Sequence, residues 1–406
     1  MKIDKNLADY LIVGGGIVGL TIARQLCISK GKNANIVVLE KESAIGMHSS
    51  GRNSGVMHSG IYYPSQSLKA KVCGAGAREM VAWCKERDLP VLPLGKVLVP
   101  VREEDGPQID LLLNRAQQNG VEASKIDAKQ LSELEPEARS ATGEAIWVSS
   151  TSVIDPKAVI KTLVSELESE NINILTDAPF LSVDKEKQEV STPKGSIGYR
   201  HLINCAGLHA DTVAHAFGAG RQYTLLPFKG LYWKLDEKSG IGIRHLIYPV
   251  PDLRVPFLGV HTTTSTDGAV YLGPTAVPAW GRENYRGLDG VQFRETGKIL
   301  YHLGCQYIEN KQGFRLLAYQ EGRRYFKRWF AEAAQGILPR LKARHLLPCD
   351  KVGIRAQMLD TSKNELVTDF LIERGEQETH ILNAISPAFT SAFPFARYLV
   401  DNYING

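Results

Sequence analysis

The chain has 406 residues, of which 43 % are hydrophobic and 23 % charged, and 48 Lys and Arg against 44 Asp and Glu give a net charge of +4. This balance is typical of a globular protein of two domains and argues against nucleic acid as a partner, while it suits a small anionic substrate or a weak attraction to a membrane surface. No apolar run reaches the roughly 18 residues that are needed to span a bilayer.

The cysteines and the N-terminus indicate a reducing compartment. The six cysteines show neither a CxxC pair nor a zinc-type spacing, which predicts buried thiols and no metal site. The nine residues before the first predicted strand contain no signal or transit pattern. We therefore expect a cytoplasmic protein, and association with the inner face of the membrane stays open.

The chain begins with a βαβ unit. Tyr10–Val13 predicts a short apolar strand, and Ile17–Ser29 predicts a helix with apolar residues at helical spacing. Ile36–Leu39 predicts a second buried strand, which ends at Glu40. This arrangement is typical of the first half of a nucleotide-binding fold.

The turn of this unit carries the motif Gly14-x-Gly16-x-x-Gly19. The first glycine permits the tight turn, the second lets the backbone approach a pyrophosphate, and the third lets the helix pack on the strand. The helix N-terminus then presents N–H groups to the phosphates. Glu40 is placed to accept hydrogen bonds from ribose hydroxyls. The unit predicts a dinucleotide site without deciding between NAD and FAD.

The next segment favours FAD. The loop Gly46–Gly55 consists mainly of small residues, and it stands where a nicotinamide dehydrogenase usually continues with another βα repeat. A loop of small residues allows the backbone to run beside a flat ring system, as a flavin requires.

Later elements alternate between helices and strands. Helices are predicted at 68–87, 110–119, 128–134, 155–168, 293–338 and 391–403, and strands at 97–101, 172–176, 180–184, 189–192, 202–204, 352–359, 370–373 and 381–384. The β-branched and aromatic segment 223–272 predicts an antiparallel sheet. The fold class is therefore α/β: a discontinuous, Rossmann-like FAD-binding domain (1–85, 145–222 and 346–406) with an inserted α+β substrate domain (86–144 and 223–345).

Several motifs resemble the L-2-hydroxyglutarate dehydrogenase/oxidase branch of the D-amino-acid-oxidase-like flavoproteins. The resemblance is most specific at Val56–Tyr63, which contains HSGIYY, and it continues through Ser67–Ala70. Further matching segments are Leu134–Pro136, Val153–Pro156, Leu202–Asp211, Pro227–Tyr232, Phe257–His261, Leu272–Pro274, Val352–Gln357 and Ser386–Ser391. The chain departs from the family at Ser49, where Gln is common, and at Phe393–Phe395.

The resemblance implies an FAD site. Its residues would be Gly14, Gly16, Ile17, Val18, Gly19, Glu40, Lys41, Ser50, Arg52, Asn53, Ser54, Gly55, Ala206, Gly207, Ser386, Pro387 and Thr390. Some relatives attach flavin covalently to a His in a WHAAG setting; here Met47-His48-Ser49-Ser50-Gly51 lacks the Trp, which favours non-covalent FAD.

The resemblance also implies the chemistry of the reaction. A 2-hydroxy acid loses its C2 hydrogen as hydride to flavin N5 while a base takes the hydroxyl proton, and His is suited to that task. His261 and His58 are the candidate bases. Arg355 is the candidate for the substrate carboxylate, because its planar fork binds carboxylates bidentately.

A dicarboxylate needs a second anchor. Lys229, Tyr62 and Tyr232 are candidates, with Arg52 behind them. Four further arginines are expected on a solvated or partner-facing surface: Arg282, Arg286, Arg323 and Arg324.

Other functions remain compatible with these motifs. The runner-up on the same fold is an amine or amino-acid oxidase of the glycine or sarcosine type, and a glycerol-3-phosphate dehydrogenase is a weaker rival. From another class, the chain could be a flavin-binding sensor without turnover. The electron acceptor could be a quinone, another protein or oxygen.

Overall fold

A computed structural model describes residues 7–31, 33–253 and 257–404. The α-helices are α1 (Ile17–Lys30), α2 (Leu68–Lys85), α3 (Pro107–Gln118), α4 (Ala128–Leu134), α5 (Pro156–Ser169), α6 (Ala210–Phe217), α7 (Phe293–Glu309), α8 (Phe314–Arg324), α9 (Lys327–Gln335) and α10 (Ala392–Leu399). The strands are β1 (Leu7–Val13), β2 (Ile36–Leu39), β3 (Val56–Met57), β4 (Val91–Leu92), β5 (Lys96–Val99), β6 (Ser124–Asp127), β7 (Glu144–Val148), β8 (Ser152–Ile154), β9 (Asn173–Leu175), β10 (Ser182–Asp184), β11 (Glu189–Thr192), β12 (Gly195–Asn204), β13 (Tyr223–Leu235), β14 (Leu246–Pro249), β15 (His261–Thr264), β16 (Val270–Gly273), β17 (Val277–Pro278), β18 (Leu346–Asp360), β19 (Glu365–Leu366), β20 (Leu371–Arg374) and β21 (Glu378–Asn383). The first six residues, on which part of the targeting prediction rests, lie outside the described residues.

The chain folds into two compact units, each drawn from separate segments. The first takes its residues from Met1–Asn53, Pro156–Pro227 and Arg355–Gly406, and the second from Ser54–Asp155 and Phe228–Ile354. None of the described helices has both the length and the apolar character that a bilayer crossing requires.

The boundaries of these units differ from the predicted domain boundaries. We predicted 1–85 and 145–222 for one domain, whereas residues 54–85 and 145–155 belong to the second unit. The reason is a pairing that is remote in sequence: β8 pairs antiparallel with both β3 and β4, and α2 packs against β4 and β8. At the later boundaries, 223–227 joins the first unit and 346–354 joins the second.

The first unit is built on a parallel sheet. Its five parallel strands stand in the order β21-β12-β1-β2-β9, while β10, β11 and β20 add antiparallel strands. All four residues of β2 are buried, as expected for a strand that is covered on both faces. Helix α1 connects β1 to β2 and packs against α5 and α10. The predicted Rossmann-like α/β architecture is confirmed.

The second unit contains antiparallel and mixed sheets. Strands β13, β15 and β16 pair antiparallel, which confirms the predicted sheet in this segment, and β17 pairs antiparallel with β13. The prediction was wrong for β14, which pairs parallel with β5 in a separate sheet of order β14-β5-β7-β6. Apolar side chains on the two faces of that sheet form two core clusters. The predicted helical segment 293–338 is confirmed as α7, α8 and α9.

Candidate active site

The glycine turn places the N-terminus of α1 at the carboxyl edge of the parallel sheet. Gly14 has φ +113°, and a Cβ there would overlap the Cys205 carbonyl. A Cβ at Gly19 would overlap the Gly14 carbonyl, so the helix can approach the strand only without a side chain at this point. Both close contacts agree with the roles that the motif predicts for its first and third glycines.

The helix N-terminus has the character of an anion site. Gly16 is the N-cap residue and offers no side-chain cap, and the first turn of α1 contains no acid. Ser50 supplies one partner: its Oγ accepts a hydrogen bond from Ile17 N–H at 2.9 Å. A Cβ at Gly16 would lie 3.0 Å from this Oγ, so a larger side chain would occupy the cradle in front of the helix. The N–H groups at a helix N-terminus and the positive end of the helix dipole favour phosphate at this position.

Glu40 lies beside the same turn. It follows β2 directly and is 8 % exposed. Its Oε2 accepts from Gly15 N–H at 3.1 Å and its Oε1 accepts from Glu42 N–H at 3.0 Å. The carboxylate is therefore held at the carboxyl edge of the sheet, where the motif predicts the ribose contact.

Two other predicted segments meet this edge. Ala206 and Gly207 follow β12, the neighbour of β1, and Ala206 N–H donates to Asn204 Oδ1 at 3.1 Å. The segment with Ser386, Pro387 and Thr390 follows β21, which is parallel to β12, and Thr390 is buried. Helix α1 connects β1 to β2, whereas α6, which follows β12, packs against β21 on the other side of β12. Ligands are therefore expected in the crevice outside the ends of β1 and β12.

The loop that precedes the second unit has its own contacts. Asn53 Nδ2 donates to the Ser50 carbonyl at 2.7 Å, and Arg52 Nε donates to the Met47 carbonyl at 2.6 Å. Ser54 and Gly55, which we predicted as part of the same loop, begin the second unit, where the Gly55 carbonyl accepts from Ile154 N–H.

His48 lies in a charged cluster. Its Nε2 is 2.8 Å from Glu42 Oε1 and 2.9 Å from Lys41 Nζ, and Lys41 also pairs with Glu42. The hydrogen bond from Lys41, followed by that from His48, lowers the pKa of the Glu42 carboxyl. The Lys41 side chain therefore points at Glu42 and His48. Lys41 and Glu42 together hold the His48 ring in place.

In the second unit, two predicted site residues, Tyr62 and His261, are linked by two residues that the sequence did not suggest. These are Lys96 and Tyr248. Lys96 is fully buried on β5, and its Nζ donates to Tyr62 Oη at 3.2 Å. It also lies 4.8 Å from the Tyr62 ring centre and 5.1 Å from that of Tyr248. The Tyr248 ring stacks on His261, with centres 3.9 Å apart. Tyr62, Lys96, Tyr248 and His261 form one cluster, which we call the Lys96 cluster.

The position of His261 suits a base. It is 4 % exposed, and its Nδ1 lies 2.9 Å from the Gly259 carbonyl. Because a carbonyl can only accept, Nδ1 carries the proton, and the neutral ring then has its lone pair on Nε2. His58, the other candidate, follows β3 directly, and its carbonyl accepts from Cys73 Sγ.

The remaining predicted anchors lie apart in the sequence and have different partners. Lys229 Nζ donates to Asn284 Oδ1 at 2.8 Å, and burial lowers the pKa of this lysine. The Tyr232 ring faces Lys351, whose Nζ is 5.5 Å from the ring centre, and its carbonyl accepts from Cys349 Sγ. Arg355 lies on β18 and is partly buried, at the start of the last segment of the first unit.

Comparison with known proteins identifies the family. The model of the family described as FAD dependent oxidoreductase matches residues 9–402. L-2-hydroxyglutarate dehydrogenase from Indibacter alkaliphilus is 37 % identical over 95 % of this chain and 96 % of its own. The mitochondrial protein of that name from Caenorhabditis elegans is 34 % identical over 100 % and 95 %. The structure of L-alpha-glycerophosphate oxidase from Mycoplasma pneumoniae with FAD bound has a TM-score of 0.74 at 20 % identity, over 97 % and 94 % of the two chains.

The chain therefore belongs to the FAD dependent oxidoreductase family, and it is an FAD-dependent oxidoreductase. The predicted cofactor is confirmed, and the glycine turn, the α1 N-terminus and Glu40 fit the dinucleotide of FAD. The predicted resemblance to the L-2-hydroxyglutarate dehydrogenases is also confirmed. The names of these relatives favour an enzyme over the alternative of a flavin-binding sensor without turnover.

Lys96 should give the free energy of unfolding a particular pH dependence. Burial lowers the pKa of its ammonium from 10.5 to about 7, so between these values the unfolded chain binds a proton that the folded chain does not. The free energy of unfolding should therefore rise from about pH 7 towards about pH 10, by at most about 1.4 kcal/mol per pH unit from this group. Lys96→Met should remove that rise in urea titrations at about pH 7 and about pH 9.

Lys85→Met is the matched control, because Lys85 is an exposed lysine at the end of α2. It should keep the wild-type rise. An equally steep rise in Lys96→Met would contradict the assignment of a desolvated ammonium to this site.

Proposed function

We propose that this protein oxidises L-2-hydroxyglutarate, or a close 2-hydroxy acid, to the corresponding 2-oxo acid. The observation that carries the proposal is the similarity, over nearly the whole length of both chains, to relatives named L-2-hydroxyglutarate dehydrogenase. The Lys96 cluster adds support, because it includes Tyr62 from the HSGIYY motif and the candidate base His261. The chemistry supplied by bound FAD is the acceptance of a hydride from substrate C2 at flavin N5.

The two units divide the work in this proposal. The first unit binds FAD through the turn Gly14–Gly19, with Ser50 and Glu40 beside it and the segments at Ala206 and Thr390 along the same sheet edge. The second unit supplies Tyr62 and His261 to the substrate side, and the first unit adds Arg355. This division keeps the predicted roles of the two domains and replaces their predicted limits with those of the units.

His261 is the proposed base for the substrate hydroxyl. The Gly259 carbonyl fixes its Nδ1 proton, which leaves Nε2 as the acceptor, and the stacked Tyr248 ring limits the rotation of the imidazole. Tyr62 is the proposed hydrogen-bonding partner of the substrate, and Lys96 positions its hydroxyl. His58 is the alternative base.

Arg355 is the proposed partner of the carboxylate beside the reacting carbon, because a guanidinium binds both carboxylate oxygens at once. Tyr62, Lys229 and Tyr232 remain proposed anchors for the second carboxylate. The Lys229 ammonium has three N–H donors, so it could take that role while it keeps its bond to Asn284.

An intracellular location belongs to the same proposal. The six cysteines remain thiols in the described residues. Burial raises the pKa of Cys84 to about 11, which keeps it protonated and unreactive. Thiols of this kind suit a reducing compartment.

The substrate class can be tested by anaerobic mixing. L-2-hydroxyglutarate should reduce the flavin, while the D enantiomer and L-glutamate should do so at least about 100-fold more slowly, because a fixed carboxylate partner and a fixed base fit only one enantiomer. The measurement is the bleaching of flavin absorbance in a stopped-flow instrument. Faster bleaching by glycine, sarcosine or glycerol 3-phosphate than by any 2-hydroxy acid would overturn the proposal.

The roles of the two residues can be separated by kinetics. His261→Ala should slow flavin reduction by L-2-hydroxyglutarate by about 100-fold or more at saturation, since the base is lost. Arg355→Lys should instead weaken substrate binding by about tenfold, because the charge remains while the planar fork is lost. The measurement is the dependence of the reduction rate on substrate concentration.

His302→Ala, on α7, is the control and should behave as wild type. A full rate in His261→Ala together with a loss in His58→Ala would move the base to His58. Full rates in both variants would remove histidine from the proposed role.

A further inference from the structure

A fully buried amide spans the segment that follows β12. Asn204 is the last residue of β12 and has no exposed surface. Its Oδ1 accepts from Ala206 N–H at 3.1 Å, and its Nδ2 donates to the Ala210 carbonyl at 2.8 Å. A reversed amide would set N–H against N–H and oxygen against oxygen, so these two bonds fix its orientation. The Asn204 side chain therefore holds both ends of the segment 206–210.

His380 takes the second N–H of this amide. It is the register partner of Asn204 in the adjacent parallel strand β21, and it is also fully buried. The Asn204 Nδ2 and the His380 Nδ1 are 3.2 Å apart. Because an amide nitrogen only donates, Nδ1 is the acceptor and the ring proton is on Nε2. The Phe217 ring at the end of α6 packs against the imidazole, with ring centres 5.1 Å apart, and limits its rotation.

The surroundings of His380 argue that its acceptor matters more than its stability. Burial lowers the pKa of His380 to about 4, so the ring is neutral at about pH 7 and Nδ1 is able to accept. Its Nε2 is buried and has no hydrogen-bond partner among the residues that the structure describes. A buried N–H without a partner is costly, and an apolar side chain would avoid that cost. The feature that a histidine adds at this position is the acceptor for Asn204.

The segment that Asn204 holds lies against the glycine turn. A Cβ at Gly14 would overlap the Cys205 carbonyl and would lie 3.1 Å from Ala206 Cα. Cys205 N–H donates to the Val13 carbonyl at 2.8 Å, at the end of β1. The two backbones are therefore in direct contact, and a shift of the segment 206–210 changes the space beside the glycine turn.

We propose that Asn204 and His380 are positioning residues of the FAD site, which hold the segment 206–210 at the distance from the glycine turn that FAD binding requires. Neither side chain needs to touch the cofactor in this role, since His380 holds the amide and the amide holds the backbone. The inference rests on the proposed contact of Ala206 and Gly207 with FAD. It does not depend on the identity of the substrate.

Release of FAD from the holoenzyme tests the proposal. After serial dilution, the fluorescence of the released flavin gives the dissociation constant of FAD. His380→Leu should raise this constant about tenfold, the factor that corresponds to one buried hydrogen bond, because the Asn204 amide loses its acceptor. His380→Asn should restore the constant to near the wild-type value, since its Oδ1 replaces Nδ1 as the acceptor.

His201→Leu is the matched control. His201 is a partly buried histidine on the same strand as Asn204, and its Nε2 lies 2.9 Å from Thr379 Oγ1. A loss of folding stability from removing a histidine in this sheet should appear in His201→Leu too, whereas its FAD dissociation constant should stay at the wild-type value. The double variant Asn204→Leu/His380→Leu should bind FAD as Asn204→Leu does, because the two residues act in series.

Gly207→Asn separates failure of this proposal from failure of the contact on which it rests. Gly207 has φ +53°, which Asn tolerates, and a Cβ there would meet no other described residue within 4 Å, so the added side chain enters the space proposed for FAD. It should raise the dissociation constant as well. A rise in Gly207→Asn with wild-type binding in His380→Leu would overturn the positioning role and leave the segment in the FAD site.

The remaining outcomes also decide the question. Wild-type binding in both Gly207→Asn and His380→Leu would remove the segment 206–210 from the FAD site, and the proposal with it. Equal rises in His201→Leu and His380→Leu, or a rise in His380→Asn as large as that in His380→Leu, would show a general loss of structure and would reject the role of the acceptor.

Discussion

The close approach of α1 to β1 and β12 is the constraint on which the cofactor site depends. It exists only because Gly14 and Gly19 have no side chains: a Cβ at either position would overlap a backbone carbonyl. The approach brings the helix N-terminus to the carboxyl edge of the parallel sheet. Glu40, Ser50 and the segment at Ala206 then reach the same place, because parallel strands end at one edge.

The second unit depends on a different constraint, a buried lysine that has no carboxylate partner among the residues that the structure describes. In the described residues, Lys96 is packed between the rings of Tyr62 and Tyr248, and burial is the main influence on its pKa. Such a group is costly in the folded state, since its charged form loses water. The Tyr248 ring links Lys96 to His261, and a costly buried charge in such a cluster supports the proposal that the cluster takes part in the reaction.

The sequence predicted the features that depend on contiguous residues, and it missed those that depend on contacts between distant segments. The βαβ unit was predictable because its turn, helix and strands are contiguous, and their periodicity reports burial directly. The predicted domain limits near 85 and 145 differ from the limits of the compact units, because β8 pairs with β3 across about a hundred residues and with β4 across about sixty. Lys96 was missed because a lysine in a strand is usually solvated. Only the fold reveals that both faces of β5 are covered.

The central claim is that the N-terminus of α1 binds the phosphates of FAD. Its most direct test is the FAD content of purified Gly16→Val, where the added side chain occupies the cradle beside Ser50. Gly322→Val, at an exposed helical glycine with open space around it, is the control. Both variants should keep the wild-type circular dichroism spectrum, which shows that they fold. The claim then predicts about tenfold less bound FAD in Gly16→Val and full FAD in the control. Full FAD in Gly16→Val would contradict it.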